Sequence, residues 1–169
     1  MISLLKKYGY LWIFLLSMVP LVELRGAIPA AYIYKANDPG FNLVLAYIII
    51  AVGNMIPVPI IFFFARKVLE WGADKPVIGK FFTFCLEKGH KGGEKLKSKA
   101  GKGLFVALMF FVGIPLPGTG AWTGTLAASI LDMDFKSSVL AVICGVALAA
   151  IIVSVVCLLG FGAWLGIAG

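Results

Sequence analysis

Long apolar runs, two of them cut near the middle by proline, glycine and charge, set the pattern of this chain. The first, Tyr8 to Tyr34, is divided at Glu23 to Gly26. Its two pieces are both shorter than the stretch of about 20 apolar residues that spans a bilayer. The second, Phe41 to Ala65, is long enough to cross, and Gly53-Asn54 with Pro57-x-Pro59 predict a kink in it. The third, Gly103 to Leu131, is divided again, by Pro115-Leu-Pro117-Gly118-Thr119-Gly120. The fourth, Val139 to Ile167, is nearly uninterrupted, and its Gly145-x-x-x-Ala149 spacing allows a close helix approach. Between Arg66 and Lys102 lies a polar linker. In it Val77, Ile78, Phe81, Phe82, Phe84, Cys85 and Leu86 share a face opposite Lys80 and Glu87, which predicts an interfacial amphipathic helix starting near Pro76. The Gly/Lys-rich run that follows, His90 to Gly103, reads as a basic loop facing anionic headgroups or as a solvated connector.

The order of elements repeats. Sliding the chain by 94 positions sets Gly26-Ala27 on Gly120-Ala121, Asp38 on Asp132, and Phe41 on Phe135. This predicts one membrane domain over 1–169, with a first repeat at about 8–69, a basic linker at 70–102 and a second repeat at about 103–167. If each broken segment is a re-entrant hairpin, each half crosses once and the repeats are inverted; if each crosses, they are parallel. The positive-inside rule, with Lys6 and Lys7 beside a cytoplasmic linker, favours crossing, whereas the two broken motifs favour hairpins.

Composition settles the class. At 61% hydrophobic and 14% charged, with mean hydropathy +1.01, the chain has too little polar surface to coat a soluble globule of 169 residues, so an all-α integral membrane protein is expected. The net charge of +7 comes largely from the linker, which points to a membrane surface and anionic lipid, with no nucleic acid. Lys6-Lys7 and the run to Val19 imitate a signal peptide, but no small-x-small cleavage site follows before Glu23. Cys144 and Cys157 fall on roughly opposite helix faces, and Cys85 and His90 stand alone, so neither a disulfide nor a metal or other cofactor is expected.

Glu23 and Arg25 are the charges inside the first broken run, and ionisable groups at membrane depth are costly unless they pair or meet water. Their two-residue separation allows mutual pairing only if the helix breaks there, as Gly26 and Pro29 permit. The alternative is a helix that ends near Val22 with Glu-Leu-Arg at an interface. Pro117, Gly118, Thr119 and Gly120 offer amides and a hydroxyl, and a half-helix starting after them aims its positive end at a phosphate or carboxylate. A ligand-free tight turn fits the same residues. Asn54 either lines the same cavity or is satisfied by a neighbouring carbonyl. Trp122, like Tyr32 and Tyr34, reads as an interfacial belt residue or as part of the site. Gly118-x-Gly120-x-x-x-Gly124 misses the dinucleotide fingerprint, and no Walker loop, nucleophile elbow or zincin motif occurs, so no enzyme is expected.

Through Glu23-Leu-Arg25-Gly26-Ala27-Ile28-Pro29, Gly53-Asn54-Met55-Ile56-Pro57 and Pro115-Leu-Pro117-Gly118-Thr119-Gly120-Ala121-Trp122, the chain resembles the small multi-drug export protein family over nearly its whole length. That family is similar to the DedA/VTT superfamily, whose members carry two opposed re-entrant hairpins and include lipid translocases. DedA proteins typically show an arginine in the second hairpin, and none stands beside Thr119 and Trp122 here. The resemblance implies hairpins over crossings and a secondary transporter or lipid translocase in a prokaryotic inner membrane, with the linker cytoplasmic. Glu23 would serve as proton or monovalent cation site and Arg25 as anchor for an anionic or phosphate-bearing substrate. The alternative is a membrane scaffold that recruits anionic lipid or a protein partner through its linker. An antiporter of cationic drugs fits less well, because Arg25 repels them. So few spans enclose little volume, which points to a homo-oligomer.

Overall fold

The computed structural model describes residues 2–73, 83, 103–116 and 118–167. The amphipathic helix expected after Pro76, the lysine-rich loop, Cys85, His90 and Pro117 lie outside them. Seven helices make up the described chain: α1 (Ile2–Met18), α2 (Glu23–Asn37), α3 (Leu43–Met55), α4 (Pro57–Ala73), α5 (Gly103–Gly113), α6 (Ala121–Ile130) and α7 (Phe135–Ile167). Among the described residues two runs are long and apolar enough to cross a membrane, Leu43–Ala65 and Phe135–Gly160. The first is α3 continued into α4 through a turn at Ile56, where Pro57 and Pro59 cannot donate to the carbonyls of Gly53 and Met55. Both runs start on a side-chain cap: Asn42 accepts from the amide of Leu45 at 3.1 Å, and Asp134 from that of Ser137 at 2.8 Å.

Contacts at their ends give the helices their directions. Tyr10 of α1 stacks on Phe41 at 4.6 Å, and its hydroxyl accepts from the amide of Asn42. On the same level Tyr34, near the end of α2, stacks on Phe41 and lies over Gly9. At the other end of α1, Gly53 of α3 lies against Phe14 and Ser17, where a Cβ would stand 3.0 Å from the Phe14 carbonyl. Thus α1 and α2 form a helical hairpin that opens level with the start of α3. It turns back level with Gly53, about 15 Å further along at 1.5 Å per residue.

In the second half a helix pair packs against the long α7. Gly145 of α7 lies against Val112 and Met109, Gly113 lies against Leu148, and α6 folds back so that Gly124 meets Val112 and Leu108. The hairpin α5–α6 therefore turns beside the middle of α7. The two long runs are antiparallel: Tyr47, near the start of α3, bonds Ser154 late in α7, whereas Phe62 and Phe63 pack on Phe135 at its beginning. Cross-packing joins the halves, α4 on α6 and α7 on α2, with the Ser129 hydroxyl donating to the Phe62 carbonyl at 2.9 Å. Small residues, Ala27, Ala31, Ala121 and Ala128 among them, are fully buried and let backbones approach. Large apolar side chains point outward, Val44, Leu159, Ile60 and Phe64 each at least 64% exposed, a surface suited to lipid rather than water.

Candidate functional site

The two breaks meet. Pro20 has no N–H with which to extend α1, and the chain turns through Leu21 and Glu23, both in the left-handed region at φ 69° and 46°. That conformation costs a non-glycine residue about 1–3 kcal/mol. It carries Glu23 inward to 3% exposure. There its carboxylate accepts from the amide of Ala121 at 3.1 Å and from that of Trp122 at 3.0 Å, the first two helical residues of α6. Hydrogen bonds to a charged partner contribute about 1.5–3 kcal/mol each, enough to offset the strain at Glu23. The α6 N-terminus, with its exposed amides and positive dipole end, is thus closed by a carboxylate from 98 positions away in sequence.

Arg25 closes the other side of the same break. Its guanidinium donates to the carbonyls of Leu116 and Ile114, just beyond the end of α5, and to the Thr119 hydroxyl at 2.7 Å. The Thr119 hydroxyl lies 2.9 Å from both of those carbonyls. A cation at the negative end of α5 and an anion at the positive end of α6 are both favourable placements. Among the described residues Glu23 and Arg25 do not bond each other; each is spent on the opposite half.

Gly120 explains itself here. It holds φ 137°, and a Cβ there would overlap the Glu23 carboxylate, 2.8 Å from its Cδ. Gly118, at φ 81°, turns the chain, and a Cβ there would meet nothing within 4 Å beyond its chain neighbours. Gly26 and Pro29 sit inside α2, where Gly26 bonds back to the Val22 carbonyl at 3.1 Å and Pro29 has no N–H for the carbonyl of Arg25.

Of the residues singled out by sequence, the structure brings together Glu23, Arg25, Thr119, Gly120 and Trp122. The anion expected at the start of α6 is the protein's own carboxylate. Asn54 takes no part in the clamp: it is fully buried, and among the described residues neither its Oδ1 nor its Nδ2 has a partner. Trp122, read above as a belt residue or part of the site, has its amide on Glu23, and its side chain lines an open apolar groove, with Nε1 buried and without a partner among the described residues. Tyr32 bonds Tyr47, which bonds Ser154, a hydroxyl cluster between α2, α3 and α7. Sequence reasoning missed this cluster, as it missed the carbonyls of Ile114 and Leu116, for which Pro115 was the available signal. Among the described residues no group of three or more His, Cys, Asp or Glu side chains is placed to hold a metal.

A family model described as "Putative small multi-drug export protein" matches residues 23–152, a stretch that begins at Glu23, just after the first break, and contains the second. No curated protein and no solved structure matches the chain.

Proposed function

The chain belongs to the small multi-drug export protein family, and from that premise we propose that it is a secondary membrane transporter of DedA-like type, with two re-entrant hairpins in inverted repeats. The directions of the helices support this reading. Each hairpin turns back beside the middle of a long run, and the two long runs are antiparallel. A hairpin that enters to mid-depth and leaves on the same side also suits helix lengths of about 15–26 Å, short of the roughly 30 Å hydrocarbon core. In this arrangement the tips touch within the bilayer, where open helix ends have no water to satisfy them.

The observation that carries the proposal is the Glu23 carboxylate on the amides of Ala121 and Trp122. Proton uptake by Glu23 removes the charge that holds the α6 N-terminus and frees one tip from the other. Arg25 meanwhile stays on the α5 end, so the contact parts on one side first. This makes Glu23 a proton-coupled gate for a small or lipidic solute passing between the tips. A phosphate-bearing headgroup would have to compete with Glu23 for the same amides. The protein works in this reading as a homo-oligomer in a prokaryotic inner membrane, its linker on the cytoplasmic side against anionic lipid.

The test is reconstitution into liposomes, with proton flux reported by entrapped pyranine and scrambling followed with NBD-labelled phosphatidylglycerol. Glu23→Gln and Arg25→Ala are each expected to slow the active process at least about tenfold, the effect of 1.4 kcal/mol on a barrier. Unchanged rates in both variants remove the clamp from the mechanism.

A further inference from the structure

Asn54 stands in the layer of the clamp. It lies seven residues, about two turns, beyond Tyr47 on α3 and so on the same side of that helix, while Arg25 lies seven residues before Tyr32 on α2. Tyr32 and Tyr47 are bonded at 3.3 Å and their helices run in opposite directions, which sets Asn54 level with Arg25. The other half gives the same depth. Ser129 bonds the Phe62 carbonyl at 2.9 Å, α4 and α6 run the same way, and eight residues back from each stand Asn54 and Ala121. Ala121 carries one of the two amides that hold Glu23. Asn54, Val58 and Phe62, four residues apart, share one side of the first long run, and Asn54 and Val58 are at most 1% exposed. We infer that Asn54 is a second seat for Glu23, on which the protonated carboxyl docks when it leaves the α6 amides. This rests on the proton-coupled gate proposed above and makes Asn54 its positioning residue.

The chemistry of the two groups selects this pairing. An ionised carboxylate only accepts, so it suits the N–H groups of Ala121 and Trp122 and is repelled by the Oδ1 of an asparagine. A carboxylic acid has one O–H donor and one carbonyl acceptor, and it meets Oδ1 and Nδ2 together. Both of those atoms are buried and without partners among the described residues, a costly state for an amide. No entry from solvent or lipid is needed, because the ligand is the protein's own side chain, itself 3% exposed. Glu23 then has one seat for each protonation state. With Glu23 on Asn54, the amides of Ala121 and Trp122 are open and the tips are free to part. Few other groups bear on the proton: Arg25 faces Glu23 from its own helix, and Cys144 of α7 is exposed. Within one turn of Ser17, Asn54, Gly113 and Ala121 no titratable residue occurs.

The experiment follows the carboxylic-acid C=O stretch of Glu23 by infrared difference spectroscopy on the full chain in nanodiscs, titrated from neutral to acid pH. Glu23→Gln identifies the band by its absence. Asn54→Leu, which removes both hydrogen-bonding atoms, is expected to move the band to higher frequency, as a freed carbonyl does. A partner for the protonated form favours proton uptake, so its removal should also shift the midpoint toward acid by about one to two pH units, a loss of about ten- to hundredfold in proton affinity. Asn54→Ala should do the same, so that a misfit of leucine does not account for the shifts, and Asn54→Gln, which keeps the amide, should restore much of both. A frequency and midpoint unchanged in Asn54→Leu and Asn54→Ala assign the Asn54 amide to buried water and overturn the inference. So does the absence of any Glu23-dependent band at acid pH in a chain that stays folded. The two shifts without proton flux in liposomes keep the pairing and refute the transporter reading; proton flux with neither shift does the reverse.

Discussion

Glu23 holds the backbone amide of Trp122 at 3.0 Å from the opposite half of the protein, from 99 positions away in the chain. The bond joins a strained turn to a helix end, and both depend on it. Glu23→Gln keeps one acceptor but loses the charge and turns an amide donor toward the backbone N–H groups. It should destabilise the fold by about 2 kcal/mol, and Glu23→Ala by more, since both amides then lack an acceptor. Unfolding in mixed micelles measures both.

The two glycines of the second break should separate under mutation. Gly120→Ala drives a methyl into the Glu23 carboxylate at φ 137°, and a loss of about 3 kcal/mol or more is expected. Gly118→Ala has open space around it and bears only the left-handed penalty, about 1 kcal/mol. Similar losses for the two would show that the carboxylate does not occupy the place described.

Arg25 and Thr119 share acceptors, so their effects should not add. A cycle of Arg25→Ala, Thr119→Val and the double variant is expected to give a coupling energy of about 1–3 kcal/mol in unfolding. Additive losses would mean that the two side chains act separately on the α5 end.

Asn54 invites the opposite experiment. With both amide atoms buried and without partners among the described residues, Asn54→Leu should be neutral or stabilising, by up to about 3 kcal/mol, because it removes a desolvated polar group. Transport activity is expected to fall nonetheless, since stability given up at one position is commonly retained for function. A destabilised variant would reveal a partner for the amide.

Topology separates hairpins from crossings. In a cysteine-free background, cysteines at Lys6 and Lys35 should react with an impermeant maleimide from one side of the membrane, and a cysteine at Lys136 from the other. Crossing segments would place Lys6 and Lys35 on opposite sides.

Proline and glycine act through the backbone itself, so the kink at Pro57 and the break after Pro115 were legible in the sequence, along with the long runs; the first break, expected at Glu23 to Gly26, falls instead between Met18 and Glu23, with Gly26 and Pro29 inside α2. Glu23 and Arg25 stood out because charge in an apolar run is expensive. Their partners did not stand out. Which amides and carbonyls they reach depends on an approach between segments more than 90 positions apart, and the nearer expectation, pairing with each other, is not what the structure shows. The groove was hidden for a different reason. In a run such as Ile56 to Phe64 almost every position is apolar, and no periodicity marks the side that faces protein from the side that faces lipid. Trp122 was ambiguous on the same ground, since an aromatic residue at a helix start suits both a belt and a wall.

The cross-bonding of Glu23 and Arg25 also bears on what the smallest working unit can be. Neither half finishes its own tip: the second leaves amides and carbonyls open, and the first carries the two side chains that cover them. A fragment of either half would enter a bilayer with bare polar backbone or an unmatched charge pair, so the halves should be stable only when made together, whether as one chain or as two that find each other.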